Sequence, residues 1–200
     1  YMMCAGLWVA GISFCVVTGA ENDPKRIRRK KKLWIRKLFE LALFAVGAGA
    51  VLVTLLINVN GMDPAYVGRT FALAIMTSVA FTAIAYFFNI ILGKVGSFVL
   101  LVLLVLQLGC AGGTYPLDLS PSIYRTMKPF FPFSYAVDGF RMTIATGQDI
   151  TGIMLVLAGF AAVFIALSII VTAVKVKSKN EKKYGLSRLL DEAFSVPFKD

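Results

Sequence analysis

The 200-residue chain contains no histidine. That excludes histidine-based acid–base chemistry and any His-ligated metal within it. Cysteine is scarce as well: Cys4, Cys15 and Cys110 all lie in or beside apolar runs, at spacings that fit no zinc site. They read as small apolar filler, with a Cys4–Cys110 disulfide as the covalent alternative. Acidic residues number 11 against 21 Lys and Arg, and no acidic pair sits inside an apolar run. Without histidine or such a pair, no constellation for an intramembrane enzyme is present. No G-x-x-x-x-G-K-[ST] phosphate loop occurs, so ATP hydrolysis would need a separate subunit. No internal repeat is evident, which gives no support to an inverted-repeat transporter. The first apolar run starts at Tyr1 with no basic stretch before it, so it is not a signal peptide; the chain reads as the C-terminal part of a longer protein.

What the chain has in excess is apolar surface. It is 58% hydrophobic with a mean hydropathy of +0.77, beyond the range of ordinary soluble domains. The net charge of +10 does not point to nucleic acid, because 16 of the 21 cations fall in two segments beside apolar runs, Glu21–Lys37 and Lys175–Asp200. That is the pattern of topology signals. The expected fold class is therefore an all-α integral membrane protein forming one transmembrane domain over residues 1–200. Five spans are expected, at about 1–19, 38–59, 67–92, 95–110 and 150–174, with a cap over 111–147 and a tail over 175–200.

The basic segment Glu21–Lys37 places its loop in the cytoplasm by the positive-inside rule, with Trp34 as an interfacial anchor and anionic lipid or a partner protein as a further contact. Alternation then puts the N-terminus, Gly61 and the cap outside, and Lys94 and the C-terminus inside. Small residues suit close helix packing: Gly6, Ala10 and Gly11 in the first run, Ala45 and Gly49 in the second, and Gly152, Gly159, Ala162 and Ala166 in the last. They make a homodimer plausible. Glu40 can pair with Arg36 one turn earlier, and Arg69 can snorkel. Thr77, Ser78, Thr82 and Asn89 read as hydrogen-bonding between helices, with a place on a substrate path as the alternative. The tail Tyr184–Asp200 has apolar residues at helical spacing, compatible with a helix on the membrane surface or with a frayed end.

The stretch Leu106–Arg141 carries the densest signals. It holds Pro116, Pro121, Pro129 and Pro132, the adjacent pair Gly112-Gly113, and seven aromatics. Prolines at that density cannot continue a long helix. Aromatic, broken and weakly charged, the stretch reads as a structured cap at a membrane interface, either lying there or partly re-entrant. Ser120-Pro121 predicts a short helix over Pro121–Lys128, and a second runs over about Ser134–Thr146 to Gly147. Asp138 and Arg141, three apart, can pair. Gln107 is the one clear polar side chain of its run; a buried amide needs partners, and the backbone of the cap could supply them. Gly112 and Gly113 allow a sharp reversal. The candidate outer gate is thus Gln107, Gly112, Gly113, Thr114, Tyr115, Pro116, Pro132, Tyr135, Asp138 and Arg141, and a Val at Gly113 is expected to harm the gate before it harms insertion.

Gln107, Leu108, Gly112, Gly113, Thr114, Tyr115, Pro116, Pro121, Pro129, Pro132, Ser134, Tyr135 and Arg141 together resemble a motif of the YhgE/Pip family, the phage infection proteins. The resemblance, with the five-run layout around it, covers essentially the whole chain. It implies a membrane domain like that of type-two ABC exporters: six spans in the full protein, one of them upstream with a large extracellular domain, and an outer pair of short helices before the last span. It implies a multi-pass protein of a bacterial cytoplasmic membrane, mainly Gram-positive, that binds no cofactor and serves as a permease-like subunit in export or secretion. The implied partners are membrane lipids and a separate ATPase or secretion-machine subunits. The other reading the resemblance implies is a non-transporting anchor or scaffold, such as a phage receptor or a type VII secretion component.

Overall fold

The computed structural model describes residues 1–18, 31–112, 122–146 and 148–194. Most of the basic loop and Gly113, Thr114, Tyr115, Pro116, Pro121 and Gly147 lie outside them, as does the side chain of Trp34. The described residues are all-helical. Seven α-helices follow in order: α1 Met2–Val17, α2 Lys31–Asn58, α3 Val67–Leu92, α4 Lys94–Cys110, α5 Ser122–Met127, α6 Pro132–Arg141 and α7 Thr151–Phe194. A 3₁₀ turn, Lys128–Phe130, joins α5 to α6, and a π turn, Met142–Thr146, ends α6.

Three segments are long and apolar enough to cross a membrane: Arg36–Asn58, Val67–Leu92 and Thr151–Val174. The first and fourth apolar runs form shorter helices, Met2–Val17 and Val95–Cys110. Among the described residues there are thus three helices of full spanning length and two shorter apolar helices where the sequence predicts five spans. Helices are the required solution here, because an apolar environment forces every backbone N–H and C=O to be satisfied within the chain.

The core is organised around α3, which packs against α1, α2, α4, α6 and α7. Its composition explains the central place: small residues such as Ala74, Ala80, Ala83 and Ala85 are buried beside Leu73, Phe81 and Ile84. Close approach is written into the glycines. A Cβ on Gly49 would lie 2.8 Å from the backbone of Ile75, and one on Gly96 would lie 2.5 Å from the carbonyl oxygen of Phe88. Gly11 faces the backbone of Thr82, where a Cβ would sit at 3.4 Å. Gly152 and Gly159 meet nothing within 4 Å, so that small-residue face of α7 is not used within the chain.

Polar pairs lock the helices. The Trp8 indole N–H donates to the Leu100 carbonyl at 3.1 Å, tying α1 to α4. Asn89 donates to the Ala85 carbonyl at 2.8 Å and accepts from Ser97 at 2.9 Å, tying α3 to α4 beside the tight turn at Gly93, φ +61°. Arg36 and Glu40 pair at 2.9 Å as expected. Arg69 lies over the Tyr66 ring at 4.7 Å and reaches the Gln148 carbonyl at 3.5 Å. Cys4, Cys15 and Cys110 are free and buried, as apolar filler would be, and the alternative Cys4–Cys110 bridge is not formed. One expectation fails. The hydroxyls of Thr77 and Thr82 have no hydrogen-bond partner among the described residues. After Val174, α7 continues without a break to Phe194, and residues 195–200 lie outside the described residues.

Candidate functional site

The site is the helical hairpin made by α5, its 3₁₀ turn and α6. Its start follows from chain geometry. α4 ends at Cys110, and Gly112 adopts φ +59°, the left-handed conformation that commonly closes a helix. α5 then packs on α4, where the Tyr124 ring lies 3.1 Å from a Cβ built on Gly109. Phe131 is extended (φ −108°, ψ 120°), as a residue before proline prefers, and Pro132 starts α6 in its first turn. The second short helix therefore begins two residues earlier than the sequence suggests, at Pro132 rather than Ser134.

α6 does not lie flat across the end of the bundle. Phe133 stacks on Phe81 of α3 with ring centroids 5.9 Å apart and meets Tyr1 at 6.1 Å. Phe81 lies about 21 Å along α3 from its start at Val67, at the helical rise of 1.5 Å per residue. Further along α6, a Cβ on Gly139 would lie 2.9 Å from Leu73, much nearer that start. Beyond α6, the Ile144 carbonyl accepts from the Ala65 N–H at 3.4 Å. The chain thus enters the bundle before Pro132 and climbs back along α3 to its beginning. Buried Phe133, Ala136, Val137 and Phe140 form the face that makes this contact. This end of the molecule is called the cap end below.

Electrostatics at the hairpin differ from expectation. Asp138 pairs with Lys128, Nζ to Oδ2 at 2.8 Å, with both side chains about one-third exposed at 33% and 30%. Arg141 instead donates from Nη2 to the Gly112 carbonyl at 2.8 Å. The predicted Asp138–Arg141 pair is therefore replaced by one contact within the hairpin, to Lys128, and one that ties α6 to the chain just past α4. Tyr135 donates its hydroxyl to the Pro129 carbonyl at 3.2 Å, closing the turn. Of the candidate gate residues, Gly112, Pro132, Tyr135, Asp138 and Arg141 are thus brought into one connected unit.

Gln107 is the exception. It is fully buried (0% exposed), yet neither its amide nitrogen nor its oxygen has a partner among the described residues. The cap backbone expected to satisfy it lies in large part, over 113–121, outside the described residues. Ser134, 1% exposed, has an equally unpartnered hydroxyl. The sequence marks Thr77 as a helix-packing hydroxyl and Ser134 as a motif residue but not Lys128 as the partner of Asp138, which depends on the direction of the turn at Lys128–Phe130.

A separate cleft of about 70 Å³ opens between α2 and α7 over α3, lined by Ala42, Ala45, Thr82, Tyr86, Ile165 and Ser168 among others. That volume holds a few waters at most and falls well below the roughly 300 Å³ of small-molecule pockets. Among the described residues, no group of acidic or cysteine side chains is placed to hold a metal ion.

Residues 29–170 match the family described as ABC-2 family transporter protein. The chain is 35% identical over 174 residues to the uncharacterized protein YhgE of Bacillus subtilis (strain 168). That alignment takes in 84% of this chain and 22% of the relative, so the chain spans about one-fifth of that protein's length. No solved structure matches.

Proposed function

The chain belongs to the ABC-2 family of transporter proteins, and from that premise we propose that it is the permease-like membrane part of a system for export or secretion across a bacterial cytoplasmic membrane. The observation that carries the reading is the hairpin. Irregular backbone at membrane depth persists only where protein buries it or where it lines a cavity, and here Phe133 is carried down to Phe81. A segment held in the bundle by one buried face and a few polar ties can move as a unit, which is what a gate requires.

The cap end faces outside in this reading, and all five apolar helices cross, with a sixth span upstream. The charge pattern supports that orientation, because Glu21–Lys37 carries nine cations and belongs on the cytoplasmic side. Gln107, Gly112, Gly113, Thr114, Tyr115, Pro116, Pro132, Tyr135, Asp138 and Arg141 form the gate. Energy comes from a separate ATPase, and the family description is that of a transporter rather than of an enzyme.

One observation favours a second reading. Most of the relative's length lies outside the aligned region, so the membrane part can instead anchor a large external domain that acts as a scaffold or receptor. Gentle purification of the full-length protein from its native membrane, with mass spectrometry of what accompanies it, separates the two. A stoichiometric ATPase is the expected result. Secretion-machine components without an ATPase, or no energising partner, would move the assignment to the anchor.

A further inference from the structure

We propose that Thr77, Gln107 and Ser134 form an intramembrane site that binds the hydroxyl group of a neutral amphiphile. The three side chains are 0%, 0% and 1% exposed, and none of their polar atoms except the nitrogen and oxygen of the backbone is provided for: Thr77 Oγ1, both Gln107 amide atoms and Ser134 Oγ lack partners among the described residues. Buried polar groups are normally satisfied, and each one that is not calls for an explanation.

The register brings these three groups to one level. Gly96 of α4 touches Phe88 and Asn89 of α3. From that crossing, Gln107 lies about 17 Å along α4 and Thr77 about 18 Å back along α3, which runs the opposite way. Ser134 follows Phe133, whose ring stacks on Phe81, one turn from Thr77.

The helix faces converge as well. Thr77 lies on the stripe between Leu73 and Phe81, both of which meet α6 through Gly139 and Phe133. Ser134 shares a stripe with Arg141, two turns on, and Arg141 reaches Gly112 just beyond α4. Gln107 continues the buried stripe of α4 that includes Gly96, Leu100 and Leu104. The groups therefore face the seam between α3, α4 and α6.

Their chemistry selects the ligand. An amide and two hydroxyls both donate and accept and carry no charge. The hairpin's Lys128 and Asp138 neutralise each other, and Arg141, held by the Gly112 carbonyl, lies about 10 Å along α6 from Ser134, so an ionic group at the three side chains would have no counter-charge in contact and would meet a large desolvation cost. The surrounding Leu73, Phe81, Leu104 and Phe133 suit an acyl or other apolar body. This deepens the permease reading and rests on it, since such an amphiphile is the class of cargo that these groups would select.

The test uses the full-length protein in lipid nanodiscs, with thermal unfolding followed as monoolein is added. Methyl oleate, which has the same chain and no hydroxyl, is the control. Monoolein is expected to raise the Tm by about 3 °C or more, methyl oleate to leave it unchanged, and Gln107→Leu to abolish the rise. Equal shifts with both lipids, a shift retained in Gln107→Leu, or no shift with monoolein would overturn the site, the last meaning that water alone satisfies these groups. If Gln107→Leu does not fold, Thr77→Val and Ser134→Ala carry the same comparison. The readout is binding alone. An ATPase that accompanies the protein while monoolein does nothing removes the site and leaves the permease; a monoolein shift without an ATPase does the reverse.

Discussion

Asp138 has a cation three residues away and another ten residues away, and it pairs with the farther one. The reason is the turn between them. Pro132 cannot continue a preceding helix, so the chain folds back over Lys128–Phe130 and returns Lys128 to the side of α6. Arg141 then bonds the Gly112 carbonyl, just past the end of α4. Because the ion pair is only partly screened, Lys128→Leu and Asp138→Leu should not be additive. The double variant is expected to be less destabilised than the sum of the two, with a coupling of about 1 kcal/mol in a double-mutant cycle of thermal unfolding. Additive losses would mean the pair is a surface contact of no consequence.

Asp149 makes the second residue-scale prediction. It accepts hydrogen bonds from the Thr151 hydroxyl at 2.7 Å and the Thr151 N–H at 3.2 Å, and these bonds, with the charge of Arg69 adding to them, hold its carboxyl below the ordinary carboxylate range. A depressed folded value means the contribution is intact above the ordinary range and is lost as pH falls through the lowered value. An NMR titration of the Thr151 amide should therefore show a midpoint below that of a free aspartate, and Asp149→Asn should remove the transition. Pairings of this kind were only partly legible in the sequence. Arg36–Glu40 could be read because both residues sit on one helix, whereas Lys128–Asp138 depends on a turn whose direction no spacing rule specifies.

At the scale of elements, the legible and the hidden divide along the same line. The apolar runs foretold the helices, and Pro121, Pro129 and Pro132 foretold a broken pair between α4 and α7. Helix propensity extended α2 back to Lys31 and α7 on to Phe194, where hydropathy alone stops. Depth was not legible: nothing in the sequence of α6 says that Phe133 stacks on Phe81 rather than resting at the interface. Close packing was half legible. Gly49 was read as a contact and is one, while Gly159 was read in the same way and faces outward. Gly49→Leu should push α2 from α3, since the nearest atoms are backbone and cannot rotate away. A loss of about 1–3 kcal/mol in unfolding is expected, against little change for Gly159→Leu in the monomer. Equal tolerance at both sites would contradict the packing described.

For the described residues as a whole, one helix, α3, holds the bundle together, and α6 packs on both it and α4. The family match and the sequence agree on a membrane transporter component, and the chain spans about one-fifth of the relative's length. The central claim is that the hairpin turn sits at membrane depth. It can be measured directly by placing spin labels at Phe130, which is 75% exposed at the turn, and at Gln148 beside the start of α7, with the native cysteines replaced by alanine. Power-saturation EPR in nanodiscs then reports access to oxygen and to a water-soluble nickel relaxant. The account predicts that the label at 130 is reached by oxygen and shielded from nickel, and that the label at 148 shows the opposite. Equal nickel access at both positions would place the hairpin on the membrane surface and contradict the gate.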